Sequence, residues 1–280
     1  MNKHKNLLLT AVKAITISLL VFGVCACSNS YKQNDKTDER QSEVWFMQTS
    51  VDLGAKIRMI DEENGFAISR GKGDDVKGKV LLFNKGMWKS VFEYGYSDFP
   101  IITQYDSTTI WWVIHETHHG KYKPRLYSYT GGIIKEIELP PIMWNETDFS
   151  MWTSVSVLQH KKTWMVGQQG NIISFDGSRW KTEINPANRK TDENLSAGDL
   201  NDVHMISENL GWAVGKQGII LKYKNGRWSR FNSPTVYELK SMSMLDENFG
   251  WIVGERGTIL KYENGKWNKL ESSFRVSLNC

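Results

Sequence analysis

Between residues 56 and 271 the chain consists of short apolar runs of four to five residues, rich in Val, Ile, Trp and Tyr, broken by polar positions and by Gly-, Asn- or Asp-containing stops. Apolar residues at the three-to-four spacing of an amphipathic helix are not sustained here, so the pattern predicts strands. Residues 211–228, GWAVGKQGIILKYKNGRW, show the unit. WAVG and IILKY each read as a strand, and the NG that follows is a hairpin signal, because Asn and Gly accept the left-handed backbone of a tight turn. The alternating segments DVHMIS (202–207) and LKSMSML (239–245) predict a strand ahead of each unit. The tryptophan-led RWSRF and KWNKL predict a fourth behind it.

The unit recurs. Thirty-nine residues further on, GWIVGERGTILKYENGKW is identical at twelve of eighteen positions. Residues 163–180 match without a gap, residues 65–88 with six extra residues, and residues 110–134 more loosely. Four antiparallel strands repeated about every 40 to 50 residues are the pattern of a β-propeller blade. One such sheet cannot bury both its faces, whereas sheets packed face to face can. The expected fold is therefore all-β, a β-propeller of four-stranded antiparallel blades, about five in number, over residues 43–280. The recurring tryptophans 88, 164, 180, 212, 228, 251 and 267 are expected to pack between blades. Gly167, Gly215 and Gly254, with Gly170, Gly218 and Gly257, bracket a two-residue tip and are expected to supply turn conformations closed to other residues. VWFMQTS (44–50) resembles the fourth-strand segments RWSRFNS and KWNKLES, while Leu278 aligns with Leu239, where a new first strand would start. Two outcomes stay open: an N-terminal strand closing a five-bladed ring, or a shortened relative of a larger propeller.

The repeated GWAVG, the following glycine, the IL-K-Y run and the closing NG-x-W resemble the repeat of the photosystem II assembly-factor-like propellers, which are related to bacterial neuraminidase repeats. The resemblance covers roughly residues 56–271 and implies a propeller that serves as a protein-binding or assembly scaffold. It carries over no functional residue.

In such a blade, loops after the second and fourth strands share one face. These are the long and varied ones here: 69–79, 114–124, 139–152 and 185–199. Variety on a rigid scaffold marks the expected binding face. Trp144 and Trp152 fall outside the repeat positions on that face and are candidate stacking surfaces for a sugar or a protein anchor. The tip residues Gln168, Gln169, Lys216, Gln217, Glu255 and Arg256 suit polar contacts.

HETHH (115–119) satisfies the HExxH pattern of zinc proteases, which requires a helix to bring both histidines to one metal. TTIWWVI precedes it and GKYKP follows, so the expected setting is a strand running into a turn. Extended chain would separate His115 from His119 by roughly 13 Å, too far for one zinc. His115, His118 and His119 remain candidate loop ligands for a binding partner, with no metal and no cofactor expected. The SFDGSRW turn (174–180) is one residue short of an Asp-box, and the arginines a sialidase would need are present but unassigned. A propeller glycoside hydrolase of sialidase type is the alternative reading; the expectation is no catalytic residue.

The N-terminus changes the address. Residues 1–26 carry Lys3, Lys5 and Lys13, an apolar stretch from Ala14 to Ala26 and no acid, the layout of a secretory signal. Its end, VCAC, resembles the lipobox of bacterial lipoproteins, which makes Cys27 the expected lipid attachment and first mature residue. Residues 27–42 then read as a flexible tether, polar beyond Tyr31. Removing the signal takes three lysines from 35 basic residues and leaves 32 against 31 acids, so the mature charge is nearly balanced. A nucleic-acid partner is not expected of such a body. Of three cysteines only Cys280 would remain free, leaving no disulfide framework. The sequence thus predicts a bacterial cell-envelope protein, anchored to a membrane by lipid and exposed to periplasm or cell surface, that binds a protein or glycan.

Overall fold

The computed structural model describes residues 56–59, 61, 63–71, 77–95, 97, 100–104, 109–118, 121–139, 151–158, 162–187, 198–272 and 276–278. The signal, the tether, Cys27, the segment 44–50, Trp144 and His119 lie outside the described residues. None of the helices among the described residues is long and apolar enough to cross a membrane.

The described residues form five four-stranded antiparallel sheets, each a meander in chain order. The first comprises β1 (Lys56–Met59), β2 (Asn64–Ile68), β3 (Gly78–Asn84) and β4 (Met87–Tyr94). The second comprises β5 (Ile101–Gln104), β6 (Thr109–His118), β7 (Lys121–Thr130) and β8 (Ile133–Ile137). The third is β9 (Trp152–Val157), β10 (Thr163–Gly167), β11 (Ile172–Phe175) and β12 (Trp180–Thr182). The fourth is β13 (Leu200–Ser207), β14 (Leu210–Gly215), β15 (Ile220–Lys224) and β16 (Arg227–Phe231). The fifth is β17 (Leu239–Met244), β18 (Gly250–Gly254), β19 (Ile259–Glu263) and β20 (Lys266–Lys269). This is the expected propeller architecture.

Both faces of a central strand are apolar, as required of a sheet covered on two sides. Within β14, Trp212 and Val214 point toward the fifth sheet while Ala213 points back to the third, and all three are fully buried. Four apolar clusters join consecutive sheets. Trp111 and Val113 meet Val155 and Met165 between the second and third, and Trp212 meets Met242, Tyr262 and Trp267 between the fourth and fifth. The indoles of Trp212 and Trp267 meet edge to face at 5.6 Å, a favoured arrangement of two ring quadrupoles. Among the described residues no such cluster joins the fifth sheet to the first.

The first strands lie side by side, β1 on β5, β5 on β9, β9 on β13 and β13 on β17. Each is a sheet edge whose outward N–H groups would be orphaned without partners. At β9, β13 and β17, side chains of the preceding sheet supply acceptors. Val203 and Met205 N–H donate to Ser154 and Ser156 Oγ at 3.3 and 3.0 Å. One sheet on, Met242 and Met244 N–H donate to Asp202 Oδ2 at 2.7 Å and His204 Nδ1 at 3.5 Å.

Two expectations are corrected. Residues 114–124 are not a loop: β6 runs to His118 and β7 resumes at Lys121, paired throughout as one long hairpin. Arg125 explains the extension, since its guanidinium binds Glu116 on β6 and Glu136 on β8, at 3.0 and 2.5 Å. Gly167, Gly215 and Gly254 are not turn glycines, because their backbone is extended, with φ of −162°, −171° and −168°. They are required by close approach: a Cβ at Gly215 would lie 2.0 Å from the Asp199 carbonyl oxygen. Gly170, Gly218 and Gly257 do occupy the left-handed region.

Candidate functional site

The tips after β10, β14 and β18 are single tight turns, Gln168–Gly170, Lys216–Gly218 and Glu255–Gly257. Each folds identically because the extended glycine before it lets the tip approach the residue preceding the first strand of its own sheet. Gln168, Lys216 and Glu255 N–H donate to the carbonyls of Met151, Asp199 and Glu238, each at 2.9 Å. The middle residues Gln169, Gln217 and Arg256 are thereby held at φ of 56°, 55° and 53°, a region that disfavours any side chain with a Cβ. All three are exposed.

One acid braces the row, and a second occupies the equivalent position beside it. The Asp199 carboxylate accepts from the Gln169 N–H at 2.9 Å and pairs with Lys216 Nζ at 2.5 Å, so it ties the third tip to the fourth. That bond, against the desolvation of the ammonium, raises the Lys216 pKa. Glu238 stands at the same repeat position one sheet later. It accepts from Asn201 Nδ2 at 2.8 Å and Lys240 Nζ at 2.9 Å. Burial opposes its charge, but these bonds prevail and its pKa falls below the ordinary value. Beside it the half-buried Tyr237 lies between two cations, with Arg256 Cζ 4.9 Å and Lys269 Nζ 5.3 Å from its ring centroid. Arg256, Lys269 and Glu271 also line a shallow depression of about 470 Å³.

The structure thus gathers Gln169, Lys216, Gln217 and Arg256 along the loops that follow second strands, on the side where the connections into β13 and β17 also run. Gln168 sits there half-buried, its Oε1 accepting from the Met151 N–H at 3.2 Å. Other candidates are placed elsewhere. Trp152 is 3% exposed and packs in the cluster between the second and third sheets, so it offers no stacking surface. His115 is 1% exposed. Its Nε2 accepts the Trp152 N–H at 3.2 Å, and its own N–H donates to Ser97 Oγ at 3.1 Å, which makes it a strut between sheets. His118 ends β6 opposite Lys121, on a strand and not a helix. Among the described residues no three His, Cys, Asp or Glu side chains are grouped to hold a metal. The near-Asp-box is a turn closed by Asp176, whose Oδ1 accepts from the Ser178 and Arg179 N–H groups at 2.7 and 2.8 Å. Sequence reasoning missed Asp199, Glu238 and Tyr237. The 39-residue recurrence of an acid just ahead of a first strand was the available signal.

Comparison with known proteins gives the class and stops there. No family model matches the chain, and no curated protein is detectably related to it. Among solved structures, the RRP9 WD40 repeats superpose with a TM-score of 0.52 at 11% identity, over 79% of this chain and 65% of that one. YCF48 from Cyanidioschyzon merolae gives 0.48 at 13% identity, over 71% and 63%. A protein of unknown function from Bacteroides caccae gives 0.49 at 10%, over 78% and 74%. The chain spans slightly less than two thirds of the first two. With the five meander sheets, the WD40 likeness defines a β-propeller.

Proposed function

We propose that this chain is a binding scaffold of the assembly-factor-like propeller kind, tied by lipid at Cys27 to a bacterial envelope membrane, that recognises a protein or glycan through its tip face and performs no chemistry. The observation that carries this reading is the row Gln169, Gln217 and Arg256. Three exposed polar side chains are held on disfavoured backbone at equivalent points of consecutive sheets. Such strain persists only where the surrounding structure over-determines it, and it clusters at recognition sites. The Asp199 carboxylate, which accepts from the Gln169 N–H and pairs with Lys216, fixes the backbone of two neighbouring tips before a partner arrives, which lowers the entropic cost of binding.

The test compares the wild-type chain with Gln169→Ala/Gln217→Ala/Arg256→Ala as bait in envelope extract, folding being checked by circular dichroism. Loss of specific partners with unchanged folding is the expected result; an unaltered partner set refutes the tip face. In parallel, Cys27→Ser is expected to abolish acyl labelling and to release the protein from the membrane fraction.

A further inference from the structure

The fifth sheet concentrates charge where its neighbours do not. Arg256 lies in the tip after β18, Lys269 ends β20 and Glu271 follows two residues later. The equivalent positions carry Gln217, Arg230 and Asn232 on the fourth sheet and Gln169, Thr182 and Ile184 on the third. Arg256 Cζ and Lys269 Nζ both approach the Tyr237 ring, at 4.9 and 5.3 Å from its centroid. Two cations gathered at one ring oppose each other, an arrangement that an anion beside them relieves. Lys216 and Lys240 nearby already have carboxylate partners in Asp199 and Glu238. Among the described residues neither Arg256 nor Lys269 has one. These same two side chains, with Gly257, Leu270, Glu271 and Ser272, line the depression of about 470 Å³.

We propose that this depression is a subsite for a carboxylated sugar, an assignment that rests on the tip-face reading and gives it a ligand class. Arg256 and Lys269 hold the sugar carboxylate through charge-assisted hydrogen bonds. Glu271, whose carboxylate offers acceptor oxygens, takes the hydroxyl groups that a uronate ring carries beside its own carboxylate. The exposed Leu270 gives the ring's C–H face an apolar surface. Two observations favour a sugar over an acidic peptide. Main-chain donors at the depression are already used, since the Glu255, Gly257, Thr258 and Leu270 N–H groups donate to the carbonyls of Glu238, Val276, Glu255 and Ile259. An extended peptide therefore finds none of these four to pair with. Glu271 also repels the further carboxylates of an acidic peptide, whereas it accepts from hydroxyl groups.

The test titrates the full-length protein, by calorimetry at physiological salt, with trigalacturonate, with its methyl ester and with an Asp-rich peptide of equal charge. Arg256, Lys269 and Glu271 are exposed, so their variants are expected to fold, and circular dichroism checks this. Binding of trigalacturonate in preference to the other two is expected, weakened about tenfold or more by Arg256→Ala or Lys269→Ala, as for lost hydrogen bonds to a charged group. Glu271→Ala is expected to weaken it several-fold. A site for anions in general instead binds more tightly once that carboxylate is gone. Tighter binding by Glu271→Ala, equal or stronger binding of the peptide, or no binding of trigalacturonate overturns the proposal. If trigalacturonate does not bind while Gln169→Ala/Gln217→Ala/Arg256→Ala still loses its envelope partners, the subsite fails and the tip face stands. If trigalacturonate binds as expected and the partner set is unaltered, the subsite stands and the tip face fails as a docking surface.

Discussion

Gln169, Gln217 and Arg256 share a backbone conformation that their side chains oppose, while the hairpin turns at Asn225 and Asn264 use a residue that tolerates it. The left-handed region costs a residue with a Cβ about 1–2 kcal/mol, of which an unfolded glycine's extra freedom returns roughly 0.4–1 kcal/mol. Gln217→Gly is therefore expected to stabilise the protein by about 0.5–1 kcal/mol in urea denaturation. If Gln217 contacts the partner, the same variant binds more weakly, a split that a structural role alone does not produce. The contrast between Gly215 and Gly218 was not legible from sequence. Both read as turn glycines, but only the fold reveals that Gly215 lies against the Asp199 carbonyl while Gly218 turns the chain.

At the scale of the element, first strands depend on acceptors from the sheet before, and the tips depend on the acids that precede those strands. Glu238 stays ionised in the folded chain to lower pH than in the unfolded one. The unfolded state thus binds more protons in that window, and stability rises with pH across it. The contribution is complete above the ordinary value of 4.5 and is lost as pH falls through the lowered folded value. Glu238→Gln is expected to cost about 1–2 kcal/mol at pH 7, and chemical denaturation in acid should show the gap to wild type closing. Strand existence was readable here from apolar runs and NG turns. The length of the β6–β7 hairpin was not, because HETHHGKYKP has the polarity of a loop and is held as strand by Arg125 reaching two carboxylates on neighbouring strands.

Across the molecule, stability is distributed over interfaces between neighbouring sheets, as in other repeat architectures. Trp212 joins the fourth sheet to the fifth and is wholly buried. Trp212→Ala is expected to cost about 3–5 kcal/mol. In native-state hydrogen exchange the loss of protection should concentrate in β13–β20, with the first and second sheets largely retained. Uniform loss would show that the five sheets unfold as one unit.

Repetition alone specified the four-stranded unit, its strand order and most of the tryptophans between sheets, since a residue written at the same place in each unit tends to meet the same neighbour; Trp164, Trp180, Trp212, Trp228 and Trp267 pack in the clusters that join sheets, whereas Trp88 packs on Phe83 of its own sheet and Trp251 belongs to none of these clusters. Its polar positions were less informative. His115 and Trp152 stand outside the strongest copies and read as ligands, yet the packing of the second sheet on the third buries them against each other. The row of tips and the role of Asp199 in tying one to the next are relations between repeats. A linear pattern states what each sheet carries, whereas which carbonyl a glycine approaches and which indole stays uncovered depend on how far one sheet turns from the next.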